Sequence, residues 1–253
     1  MRWRGTAVLV GTLICLMSIG AAAQTARTIN EGQVAGTLVL PTQTPAPGIL
    51  VLHSGYGRVH PADVAMAKSL AGAGFVAFAP EYPLQSPPSS YVHRYLDWFK
   101  ARAEVRGQKL GAVGFSAGGS RVFYFAAAEP DIKAVVSYYG TFDYKTSSVT
   151  QIRRLPDAGP IGLVDRLSAA TLILHGSADT ESTAQQAEAM ERALKARGLP
   201  VEVVAYPNAQ HNFDRGPEAA SDRTTNGTVV AYDGPAAVDA QRRTIEWFQR
   251  YLK

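Results

Sequence analysis

Cysteine is almost absent from this 253-residue chain: the single one, Cys15, lies near the N-terminus. A fold stapled by disulfides is therefore excluded, and so is a thiol nucleophile or thiolate metal cage in the body of the chain. Histidine is scarce too, with five residues. Charged residues make up only 18%, and no basic cluster stands beside aromatic residues, so nucleic acid is not an expected partner. No internal repeat and no linker divides the chain. Hydrophobic residues are 46%, ordinary for one globular domain with a substantial core.

The first residues carry an address rather than a fold. Met1-Arg2-Trp3-Arg4 is short and basic, Ala7 to Ile19 is apolar, and Ala21-Ala22-Ala23 offers small residues ahead of Gln24. This pattern reads as a signal peptide over residues 1–23. The apolar run is short for a span of ~20 residues, so no stable membrane insertion is expected after cleavage. Cys15 follows Ile14, where a lipid-attachment site needs a small residue, and is a passenger of the signal segment. Without Arg2 and Arg4 the formal charge falls from +4 to +2. The expectation is a periplasmic or secreted protein, with residues 24–253 as one domain.

Apolar runs and helical periods alternate through that domain. After a polar lead-in, Val34 to Leu40 reads as an edge strand. Gly48 to Leu52, Phe75 to Ala79, Leu110 to Phe115, Val135 to Tyr138, Ala170 to Leu174 and Val201 to Ala205 read as strands. The continuous apolar runs Gly48 to Leu52, Phe75 to Ala79 and Val135 to Tyr138 suit strands buried on both faces. Pro61 to Gly72, Tyr91 to Val105, Ser120 to Ala128, Ser182 to Arg197 and Ala236 to Leu252 read as helices. Glu81 to Ser90, rich in proline and serine, is a loop. Phe142 to Pro160 is expected to form a cap or loop near the site, and Gly216 to Pro235 an irregular polar segment. Asn226-Gly227 is read as a turn rather than a glycosylation site. The predicted class is α/β: a doubly wound, mainly parallel sheet with helices on both faces.

Chemistry concentrates at Gly114-Phe115-Ser116-Ala117-Gly118-Gly119. A strand, a tight turn with serine at its tip and a helix make the nucleophile-elbow pattern. Gly114 and Gly118 lack the Cβ that such a turn would crowd. The pattern is weak alone, and serine needs a base to become a nucleophile. His211, in the loop Tyr206-Pro207-Asn208-Ala209-Gln210-His211 after the last strand, is the candidate base. His53 closes a strand, His175 is assigned a structural role, and His60 and His93 are assigned to the surface. Asp179, in His175-Gly176-Ser177-Ala178-Asp179, is the candidate acid that fixes the base. Its alternative role is a helix cap, and Asp143 and Glu181 are weaker rivals. Each member of Ser116, Asp179, His211 follows a predicted strand, in the order of α/β-hydrolases. The Ala117 N–H and the loop His53-Ser54-Gly55-Tyr56-Gly57, with Gly55 first, are expected to stabilise an oxyanion.

These blocks make the chain resemble the dienelactone hydrolase family of the α/β-hydrolase superfamily. The resemblance spans Val34 to the C-terminus. It rests on Gly48 to Gly57, Phe75 to Glu81, Gly114 to Gly119, Ala134 to Gly140, His175 to Asp179, and Tyr206 to Phe213. It implies Ser116, Asp179 and His211 as nucleophile, acid and base, Gly55 and Ala117 as oxyanion donors, and no cofactor or metal. Three departures stand out. The family's elbow cysteine is Ser116 here, its oxyanion-loop glutamate is Ser54, and its substrate-holding arginine is missing from Tyr82-Pro83-Leu84-Gln85. Arg215, close after His211, is a further candidate beside the pocket. Tyr56, Tyr82, Tyr139 and Phe213 are the candidate substrate-binding aromatics. The expected activity is hydrolysis of a small ester or lactone through an acyl-enzyme. A small acyl-peptide hydrolase and a non-catalytic ligand-binding protein on a hydrolase fold are the alternatives. The former is disfavoured because such enzymes carry an extra domain.

Overall fold

The computed structural model describes residues 25–55, 57–216 and 231–253. Residues 1–23, read as a signal peptide, Tyr56, Asn226-Gly227, read as a turn, and most of the 216–235 segment lie outside the described residues.

Eight strands form one sheet: β1 (Thr25–Glu31), β2 (Val34–Leu40), β3 (Ala46–Leu52), β4 (Val76–Pro80), β5 (Val105–Phe115), β6 (Ile132–Tyr138), β7 (Ala170–Gly176) and β8 (Val201–Tyr206). Their spatial order is β1-β2-β4-β3-β5-β6-β7-β8. The pairs β1·β2 and β2·β4 are antiparallel, and β4 through β8 run parallel. The helices are α1 (Pro61–Gly72), α2 (Val92–Lys100), α3 (Ala117–Ala128), the single turn α4 (Thr150–Arg153), α5 (Ala184–Ala196) and α6 (Gly234–Leu252).

The helices cover both faces, as the strand composition requires. Phe99, Val122, Phe123, Met190 and Leu194 from α2, α3 and α5 pack one face with Leu50, Leu52, Phe78 and Ala112. Met66, Leu70, Trp247 and Phe248 from α1 and α6 pack the other with Ile49, Val51, Val113 and Val136. Strands β3 and β4 are buried along their whole length, so alternation is absent and a continuous apolar run is what the sequence shows. Each large side chain so enclosed contributes roughly 1.5–3 kcal/mol of apolar transfer free energy.

Three expectations are corrected. The polar lead-in is a strand, β1, so Val34–Leu40 is interior to the sheet and β1 forms its edge. Only Ile29 of β1 is buried. Backbone pairing with β2 holds the strand, and no apolar pattern announces it. The helix expected over Tyr91 to Val105 ends at Lys100. Val105 instead begins β5, pairing with Ala46 across a register shift at Pro47/Gly48. His60 is not a surface bystander either: its ring accepts from the Ala62 N–H and caps α1.

Candidate active site

The carboxyl ends of the parallel strands, where open α/β sheets place their sites, carry all three singled-out polar residues. Ser116 stands between β5 and α3 with φ of 52°. A non-glycine residue there is strained and is held by its surroundings. The Ser116 N–H donates to the Tyr138 carbonyl at 2.9 Å, and the Ser116 carbonyl accepts from the Ser120 N–H at 3.1 Å. A Cβ on Gly114 would collide with the Gly118 carbonyl, and one on Gly118 with the Leu52 carbonyl. Both glycines are therefore demanded by the close approach of α3 to β3 and β5.

His211 follows β8 on a loop seated against β7. The Ala178 N–H donates to the Ala209 carbonyl, and Asn208 and Asn212 take positive φ of 62° and 61°. The ring is buried. Its Nε2 lies 2.8 Å from Ser116 Oγ and its Nδ1 2.8 Å from Asp179 Oδ2. A carboxylate only accepts, so Nδ1 carries the proton and Nε2 is free to accept from the serine hydroxyl. The other oxygen of Asp179 accepts from the Glu181 and Ser182 N–H groups, both at 2.9 Å. Asp179 thus holds the turn ahead of α5 and bonds His211, but it is not the helix cap given as its alternative role: α5 begins at Ala184, with Thr183 at its N-cap. Burial lowers the His211 pKa, but the hydrogen bond and charge of Asp179, with the charge of Glu181, outweigh it and raise the pKa above 6.5. Of the rival acids, Asp143 accepts from the Lys145 N–H in the cap, away from His211. Glu181 lies 3.8 Å from Nε2, the reacting side of the ring.

Ser116, Ala117 and Gly55 share the wall of a cavity of about 450 Å³. Ala117 is the first residue of α3, where N–H groups lack an intrahelical acceptor. The 142–160 segment forms part of the wall through Tyr144, Gln151, Ile152, Leu155, Pro156 and Asp157. It is pinned to α5 by Gln186, whose Oε1 accepts from the Phe142 and Asp143 N–H groups.

The described aromatics proposed for substrate do not line this cavity. Tyr82 is buried and stacks on His53 at 3.9 Å, and its hydroxyl donates to the His53 carbonyl at 2.6 Å. The pair clips the Gly55 loop to the chain after β4. Tyr139 is buried behind His211, its ring 4.7 Å away, and its hydroxyl donates to Asp214. Phe213 packs between Tyr138, Tyr139 and Tyr206. Each follows the carboxyl end of a strand, Tyr82 after β4, Tyr139 after β6 and Phe213 after β8, and that position misled: aromatic area there supports the site from beneath. Arg215 is also corrected. Its guanidinium is buried, donating to Asp63 at 2.8 Å and to the Tyr139 hydroxyl at 3.3 Å, and it lies over the Phe115 ring. Arg215→Leu leaves Asp63 buried without its cation, so a loss of roughly 3–5 kcal/mol is expected. Urea unfolding checks it, and a loss below 1 kcal/mol would contradict the role. His175 is buried at the end of β7, and burial lowers its pKa. This suits a neutral, structural ring. The Ser54 hydroxyl is buried with no hydrogen-bond partner, at the position where the resemblance expects glutamate.

The residues that do face the cavity include Arg121, Tyr124 and Tyr144, none singled out from sequence. Arg121 donates to the Tyr91 and Tyr144 hydroxyls and the Leu84 carbonyl. It follows the elbow by five residues, so the helical repeat of α3 was the available signal. Among the described residues, no group of three or more histidine, cysteine, aspartate or glutamate side chains could hold a metal, and no helix is long and apolar enough to cross a membrane.

The profile of the dienelactone hydrolase family matches residues 34–86 and 84–252. The chain belongs to the dienelactone hydrolase family, within the α/β-hydrolase fold. It is 28% identical to a protein of Escherichia coli (strain K12) provisionally named carboxymethylenebutenolidase, over 82% of this chain and 78% of that one. Two solved structures share the fold. A provisionally named dienelactone hydrolase from Klebsiella pneumoniae superposes with a TM-score of 0.72 at 23% identity, over 90% of this chain and 99% of that one. A dienelactone hydrolase-like promiscuous phosphotriesterase, P91, from metagenomic libraries gives 0.71 at 22%, over 92% and 100%.

Proposed function

We propose that this hydrolase cleaves carboxylic esters or lactones through a serine acyl-enzyme. The observation that carries the reading is the unbroken chain from Asp179 through His211 to Ser116 at the cavity wall, with both contacts at 2.8 Å. Ser116 Oγ attacks the carbonyl carbon while Nε2 takes its proton. The developing oxyanion meets the N–H groups of Ala117 and Gly55 at the positive end of α3. Nε2 then gives the proton to the leaving oxygen, and water hydrolyses the acyl-enzyme by the same route. Ser116 in place of the family's cysteine makes a general base necessary. His211, with its oriented tautomer and raised pKa, fits that need. The cavity suits a small acyl group against Leu84, Ile152 and Leu155.

The test is turnover of p-nitrophenyl acetate and of a small panel of lactones by the purified protein. Hydrolysis of either supports the reading. A folded protein inert toward the whole panel returns it to a binding role. Export of the protein is a further proposal, supported by the residue pattern of 1–23. A mature N-terminus at Gln24 is the expected result of N-terminal sequencing, and retention of Met1 overturns it.

A further inference from the structure

We propose that Glu181 sets the choice of leaving group, favouring esters of cationic alcohols. The inference rests on the ester reading above and adds a substrate class to it. In that chemistry the leaving oxygen must come within hydrogen-bond reach of the base nitrogen. Glu181 Oε1 stands 3.8 Å from that nitrogen, His211 Nε2, and Glu181 lines the same cavity as Ser116. The group departing from the carbonyl therefore leaves beside this carboxylate.

The position of Glu181 is built, not incidental. Its N–H donates to Asp179 Oδ1, and its carbonyl accepts from the Ser148 hydroxyl of the cap segment at 2.6 Å. Its side chain is 20% exposed, enough to meet a ligand and too little for full hydration. Among the described residues no lysine or arginine lies within 4 Å of it, the only basic neighbour being His211. The cation of the cavity, Arg121, is engaged with Tyr91, Tyr144 and the Leu84 carbonyl. Asp157 adds a second carboxylate to the cavity wall. A cationic leaving group meets an unneutralised negative charge in a partly dehydrated cleft, where such a charge acts more strongly than in bulk water. An anionic leaving group is disfavoured by the same charge.

The experiment compares acetylcholine with its neutral isostere 3,3-dimethylbutyl acetate, on the wild type and Glu181→Gln. The two esters share acyl group and shape and differ in one charge. The ratio of their kcat/KM values therefore cancels any effect of Glu181 on His211 itself. The ratio is expected to fall roughly tenfold in Glu181→Gln. In the wild type it is also expected to fall as salt is raised, since screening weakens the attraction; this arm needs no variant to fold. A ratio unchanged by both substitution and salt, with the neutral ester still hydrolysed, overturns the role of Glu181 alone. Failure of the wild type to hydrolyse either ester while it still turns over p-nitrophenyl acetate or a lactone overturns this inference alone; inertness toward all of them overturns the ester reading with it.

Discussion

Ser116→Ala is expected to abolish hydrolysis of p-nitrophenyl acetate, with kcat falling roughly 10⁴–10⁶-fold. The reason is local. The hydroxyl makes one side-chain contact, to His211 Nε2, and everything that builds the turn is backbone: the bond to Tyr138, the bond from Ser120, and the glycines at 114 and 118. Alanine keeps the Cβ and therefore the same strained φ of 52°. Stability should stay within about 1 kcal/mol of the parent, so that lost activity and lost fold can be separated by thermal unfolding. Retained turnover in a folded variant would show that another group is the nucleophile.

Asp179→Asn is the second large effect, with a fall in kcat of roughly 10⁴-fold. The Oδ1 position accepts two backbone N–H groups, so an asparagine would place its carbonyl there and turn its NH₂ toward His211. Nδ1 must then accept, the ring proton moves to Nε2, and Nε2 can no longer take the Ser116 proton. The pH profile supplies a second signature. The working base is the neutral imidazole, so kcat/KM rises with pH through the His211 pKa. Burial lowers that pKa, and Asp179, with Glu181, raises it above 6.5. The acid limb of the parent is therefore expected above pH 6.5. In Asp179→Asn the burial effect is left less opposed, and the limb of the residual activity should move to lower pH. A limb that stays in place would contradict the coupling.

Uniform burial made several strands legible in the sequence. β3, β4 and β7 are enclosed from end to end, and a continuous apolar run has few alternatives. β1 was illegible because its stability is in the ladder with β2, a backbone interaction that side-chain pattern does not report. Ser116, Asp179 and His211 could be chosen because each follows a strand and the elbow imposes glycine at fixed offsets. Their meeting within 2.8 Å contacts depends on tertiary placement that order alone only suggests. The cavity wall was the least legible part. It is assembled from the loop after β4, from α3 and from the 142–160 cap, elements distant in sequence. Tyr82, Tyr139 and Phe213 proved to be buttresses, whereas Arg121 and Glu181 reach the cavity itself.

The most direct test of the account is intact-mass analysis of the purified protein after fluorophosphonate treatment, followed by peptide mapping. A single adduct on Ser116 is the predicted result, because only a serine activated by its base reacts at neutral pH. No adduct on a demonstrably folded protein, or an adduct elsewhere, would contradict the assignment of Ser116 as an activated nucleophile.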